Sequence, residues 1–179
     1  MRVRRRRLLA LLAVPAALAA GAGFAQPGGS PDPDQVARLV VGLTNELRGQ
    51  EGREHVEINA RLTEAARYFA GYMAKTGKFS HEADGSTPDA RAKQYGYDRC
   101  IVSENIAYQY SSRGYATREL AQGFIDGWKK SPGHRRNMLD PDVTQTGVAV
   151  ARGAKAGHYY AVQMFGRPRA LGCRGKTLR

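Results

Sequence analysis

The sequence predicts an α+β domain, helices first and strands last, on three observations. Apolar residues recur at three- and four-residue spacing in three stretches, Val36 to Leu47, Leu62 to Met73 and Leu120 to Trp128. Two strand-like segments, 146–151 and 158–165, follow them and are joined by a glycine-bearing loop at 152–157. The second segment is apolar almost throughout, the pattern of a strand covered on both faces.

A length of 179 residues suits one domain with a core of its own, and 42% hydrophobic with 25% charged residues is the balance of a soluble globular chain. Arg2, Arg4, Arg5, Arg6 and Arg7 precede an apolar run at 8–20, and Gly23 and Ala25 offer small residues for processing. Residues 1–25 are therefore expected to be a secretory signal peptide, placing the mature protein outside the cytoplasm, secreted or in the cell envelope. The apolar run falls short of the roughly 20 residues that span a bilayer, so the cleaved chain is not expected to be an integral membrane protein. An arginine run directly ahead of such a segment reads as an export signal, not as a nucleic-acid arm. Setting those five arginines aside lowers the formal charge from +12 to +7. That charge suits contact with anionic surfaces and equally keeps an exported protein soluble. Cys100 and Cys173, both in the exported part, are expected to pair, and the lack of a C-x-x-C pair excludes a zinc ribbon or thioredoxin-like site.

Three prolines and two glycines mark 26–33 as a linker, with the folded domain expected over 34–167 and a basic tail at 168–179. Asp34 is expected to cap the first helix, which Gly49 and Gly52 end. Asn45 and Arg48 lie on or beside it. Asn59 caps the second, an alanine-rich stripe stopped by Gly77. A short helix is expected from Asp89 to Tyr95, ended by Gly96. Thr117 is expected to cap the third long helix, with Glu119 in its first turn as a structural charge on the helix dipole. Pro132 and Gly133 then place His134 just beyond that helix end. His55 and His158 read as ordinary surface residues.

Three pieces carry chemistry: Phe79-Ser80-His81, then Ser103-Glu104-Asn105 between apolar residues, then Trp128 followed by Ser131-Pro132-Gly133-His134. A carboxylate within an apolar segment such as Glu104 is paired, hydrogen-bonded or functional, because an unpaired buried charge is costly. Taken with Gly147-Val148-Ala149-Val150 and Val162-Gln163 ahead of Phe165-Gly166, these pieces in this order resemble the CAP superfamily of cysteine-rich secretory, antigen 5 and pathogenesis-related proteins, on its bacterial SCP-like branch. The resemblance runs from about Asp34 to Gly166.

It implies a three-layer α-β-α sandwich with a central antiparallel sheet and a cleft lined by His81, Glu104, Asn105, Ser131 and His134. His81 and His134 match the family's two histidines and Glu104 its first glutamate, with Ser103 where the motif has glycine. Ser131 stands where many eukaryotic relatives carry a second glutamate, so a full tetrad is not implied. Two imidazoles and a carboxylate suit zinc or another divalent cation. The same groups also suit a purely structural network in which Glu104 orients both histidines. The expected function is an extracellular binding or interaction module for a lipid, glycan, peptide or cell-envelope component. The alternative is a metal-dependent, peptidase-like hydrolase in which Glu104 and His134 are catalytic.

Overall fold

The computed structural model describes residues 30–173; the expected signal peptide lies outside the described residues, as do the linker's first four residues and the end of the basic tail. The first helix, α1 (Pro33–Gln50), starts before the expected Asp34. Asp32 is the cap, its carboxylate accepting the Asp34 N–H at 3.0 Å, and Pro33 takes the first helical position, where a missing N–H costs nothing. The end of the linker is therefore already folded, and the Arg152 guanidinium donates to the carbonyls of Ser30 and Pro31.

After the two-residue strand β1 (Glu57–Ile58) comes α2 (Ala60–Thr76). The Asn59 side chain accepts the amides of Arg61 and Leu62 at its start, and Gly77 ends it at φ 71°, the left-handed geometry that glycine adopts without strain. A short helix, α3 (Pro88–Gln94), follows its cap Thr87. The segment around Glu104 is a 12-residue strand, β2 (Arg99–Tyr110). In α4 (Thr117–Lys130) Thr117 is the first helical residue, not the cap. The cap is Ala116, whose N–H donates to the Glu119 carboxylate, so Glu119 has the structural part expected of it. A second helix, α5 (Pro132–Leu139), begins after a break at Ser131, and two strands follow, β3 (Gln145–Arg152) and β4 (His158–Pro168).

The strands form one sheet in the order β1-β3-β4-β2, with β3 and β2 both antiparallel to β4. It is not antiparallel throughout, because β1 runs parallel to β3. Two cores lie against its faces, which makes the three layers. Val36, Val40, Leu120, Phe124 and Trp128 of α1 and α4 pack on Val148, Ala161 and Phe165. On the other face Leu62, Ala66, Phe69 and Met73 of α2, with Ala92 of α3, pack on Ala149, Val162 and Met164. Alternate side chains of β4 thus enter opposite cores, and this is why its sequence shows no polar alternation. The exception, Gln163, is fully buried and donates to the Thr44 hydroxyl at 2.9 Å.

Cys100 and Cys173 form the expected disulfide, with Cα atoms 5.1 Å apart. It ties the C-terminal segment to the start of β2 across a sequence separation of 73. Replacing Cys173 with serine is expected to cost about 4 kcal/mol on the chain-entropy account. Urea unfolding of the variant against the oxidised parent measures this, and the reduced parent should coincide with the variant.

Candidate functional site

The site forms where β2, α5 and the turn after α2 meet. His134 lies just beyond the end of α4, as expected, and also in the first turn of a new helix, α5, which was not expected: Pro132 initiates this helix, and Gly133 is a helical residue without positive φ. Two asparagines fasten α5 to β2. The Asn105 amide donates to the His134 carbonyl at 3.1 Å, and the Asn137 amide donates to the Glu104 carbonyl and to Asn105 Oδ1 at 3.2 and 2.9 Å. The Trp128 indole N–H donates to the Ile106 carbonyl at 3.0 Å, closing the α4–α5 junction over the strand.

Glu104 has a partner that sequence reasoning did not supply. Its side chain is 1% exposed and meets the guanidinium of Arg91, itself fully buried, at 3.2 and 3.0 Å. Arg91 also donates to Asp84 Oδ1 at 2.8 Å and to the carbonyls of Ser86 and His81 at 2.7 Å, and it lies 3.4 Å from the centre of the Phe69 ring. This single cation therefore pairs with two buried carboxylates and pins the turn that carries His81.

His81 Nδ1 is 2.8 Å from Glu104 Oε1. A carboxylate paired with Arg91 is an acceptor, so the His81 Nδ1–H donates to it. The His81 and His134 rings stand 6.4 Å apart between centroids. Burial, then the neighbouring His81, holds the His134 pKa below the ordinary imidazole value.

That direction carries a sign for stability. His134 is harder to protonate folded than unfolded, so its contribution is intact above the unfolded pKa near 6.5 and is lost as pH falls through the lower folded value. Urea midpoints are expected to fall from pH 7.5 to pH 5. A His134→Gln variant should lose less over that interval, and equal losses would contradict the assignment.

Beside the histidines opens a cleft of about 850 Å³ between the C-terminal end of α2, strand β2 and α4. Phe79, Tyr108, Trp128, Ser131, His134 and Tyr160 are on its walls. Glu104 and Asn105, 5% and 0% exposed, lie behind that surface, while the His81 side chain is 47% exposed next to His134. Ser131 leaves the wall without the carboxylate that a glutamate would bring. His158 is half-buried and its Nδ1 sits 2.6 Å from the Tyr108 hydroxyl, whereas His55 is exposed and apart from the site.

As a metal centre the donor set is short. Among the described residues no group of three or more His, Cys, Asp or Glu side chains is placed to hold an ion. The chemistry of the two imidazoles fits a two-ligand site completed by water, one ligand fewer than a catalytic zinc takes from protein.

The three-layer fold with paired histidines defines a CAP-type domain. The profile of the cysteine-rich secretory protein family, CAP, matches residues 41–165, and the chain belongs to that family. It is 30% identical over 131 residues to the uncharacterized protein YkwD of Bacillus subtilis, covering 73% of this chain and 47% of that one, so it spans less than half that relative's length. Two solved structures share the fold. An outer surface protein of Borrelia burgdorferi aligns with a TM-score of 0.66 at 20% identity, over 79% of this chain and 98% of that one. An SCP-domain extracellular protein of Bacillus anthracis aligns with a TM-score of 0.61 at 24% identity, over 75% and 41%. No described helix is long and apolar enough to cross a membrane.

Proposed function

We propose that this chain is an exported binding module whose aromatic cleft is its ligand site, with His81 and His134 taking a divalent cation reversibly beside it. The observation that carries this reading is the state of Glu104. Its carboxylate is buried and already accepts from Arg91 and His81, so the base required by a peptidase-like mechanism is occupied. The open surface near it is instead a wall of aromatic rings suited to holding a ligand. The arginine-led apolar segment at 2–20 supports the export part of this reading.

Calorimetric titration with zinc and cobalt tests the cation pair. Weak binding is expected, lost in both His81→Ala and His134→Ala and fading at acid pH as the imidazoles protonate. Peptide and ester libraries should show no turnover with zinc present. Turnover that disappears in His134→Ala at an unchanged melting temperature would overturn the binding-module reading in favour of the hydrolase.

A further inference from the structure

We infer that the cleft takes an extended acidic peptide, added as a fifth strand along the free edge of β2 at Tyr108–Tyr110. This rests on the reading of the cleft as a ligand site and names its occupant.

Among the described residues strand β2 ends the sheet, so one of its edges has no neighbouring strand. The direction of its backbone groups follows from the ladder. The His158 carbonyl accepts from Gly153 and the Gly166 carbonyl from Thr144, so alternate residues of β4 from 158 to 166 turn toward β3. Their partners on β2, which include Glu104, Ile106, Tyr108 and Tyr110, therefore turn outward. Trp128 and Asn137 confirm that direction by reaching the carbonyls of Ile106 and Glu104 from outside the sheet. Those contacts cover the edge up to Ile106. Beyond it the outward amide and carbonyl of Tyr108 border the cleft, and those of Tyr110 continue the same edge, a template for main-chain pairing.

The groove is shaped for a chain lying there. Helix α4 shows Gly123 and Gly127 toward it, one turn apart, and a Cβ at Gly127 would meet nothing within 4 Å. On the other side Phe79, Tyr108 and Tyr110 are 49%, 40% and 53% exposed. They continue into Tyr160 and His158 as a row of rings 4.5–6.4 Å apart. An added strand would lay alternate side chains on that row.

Charge selects the occupant. The described residues lining the cleft include Lys75, Lys155, His134 and His158 and no carboxylate. The chain's own ends are no match for it, since Arg2 to Arg7 and Arg174, Lys176 and Arg179 carry the same sign as the lysines. A partner segment bearing Asp or Glu between apolar residues is complementary in both pairing and charge.

The test uses the full mature chain and a fluorescein-labelled octapeptide of alternating Glu and Val. Its counterpart with Lys for Glu and an analogue N-methylated on alternate amides serve as comparisons. Fluorescence anisotropy is expected to show the acidic peptide binding at least tenfold more tightly than either. Gly127→Leu, which fills the groove at an exposed helical position that leucine favours, should abolish binding without lowering the melting temperature. Lys75→Glu with Lys155→Glu should reverse the preference between acidic and basic peptides. Equal binding of the N-methylated peptide, or an unreversed preference, would overturn the inference. Anilinonaphthalene sulfonate, an anionic aromatic probe, separates the two levels. If it binds and Gly127→Leu expels it while no peptide binds, strand addition fails and the cleft reading stands. If Gly127→Leu alters neither probe, both fail.

Discussion

Replacing Arg91 with methionine is expected to destabilise the fold by about 3–5 kcal/mol, the cost of leaving a buried charge without its partner. The side chains of Asp84 and Glu104 are 2% and 1% exposed, and both depend on this guanidinium. Methionine is similar to the stem in length but lacks the guanidinium that lies over the Phe69 ring and supplies none of the donors to the carbonyls of His81 and Ser86. The loss should therefore be electrostatic and polar, not a packing defect. A domain of this size has about 5–15 kcal/mol in total, so the variant stays measurable by urea unfolding. Adding Glu104→Gln removes one orphaned charge while keeping an acceptor for His81. The double variant should thus be less unstable than the two single losses added together, with a coupling of about 1–3 kcal/mol. A loss under about 1 kcal/mol for Arg91→Met would show that the network is not what holds the His81 turn.

Arg91 also marks where the sequence stops being informative. Asn59 and Gly77 delimit α2 by local chemistry, side-chain capping at one end and a left-handed glycine at the other, and both were legible. The resemblance singled out His81, Glu104 and His134 along the chain. What joins them is non-local. Nothing in the short stretch Asp89–Tyr95 signals that its arginine crosses to a strand 13 residues on, although the need of Glu104 for some partner was evident. Pro132 misled for the opposite reason. Proline both ends one helix and favours the first position of the next, and the periodicity of α4 drew attention to the ending alone. Strand β2 was obscured because its adjacent polar residues Glu104 and Asn105 point into opposite networks, Glu104 to Arg91 and Asn105 to α5, so no simple alternation appears. Strand β1, two residues long, is below any pattern's reach. Arg48 likewise looked like a polar helix residue. It is 1% exposed and donates to the carbonyls of Glu54, Met138 and Asp140, which anchors the end of α5 to α1.

Gly147→Ala is expected to be severely damaging, with a loss exceeding about 4 kcal/mol or failure to fold at 37 °C. Gly147 sits in β3 directly beneath α2, and a Cβ there would lie 2.2 Å from the Leu62 carbonyl carbon and from the Thr63 nitrogen. The obstacle is backbone on the first turn of a helix, so no rotamer change relieves it. Only a shift of α2 off the sheet does. Such a shift would loosen Leu62, Ala66 and Phe69 together, and with Phe69 the ring beneath Arg91. The effect should therefore reach the site. In any fraction that folds, the zinc binding proposed for His81 and His134 is expected to weaken more than the stability loss alone requires. Gly71→Ala serves as the control, because a Cβ there meets nothing within 4 Å and alanine is the better helix former. It should match or exceed the parent in melting temperature. Equal stability of the Gly147 and Gly71 variants would show that α2 can lift from β3 at little cost, and that its close seating does not position the histidine turn.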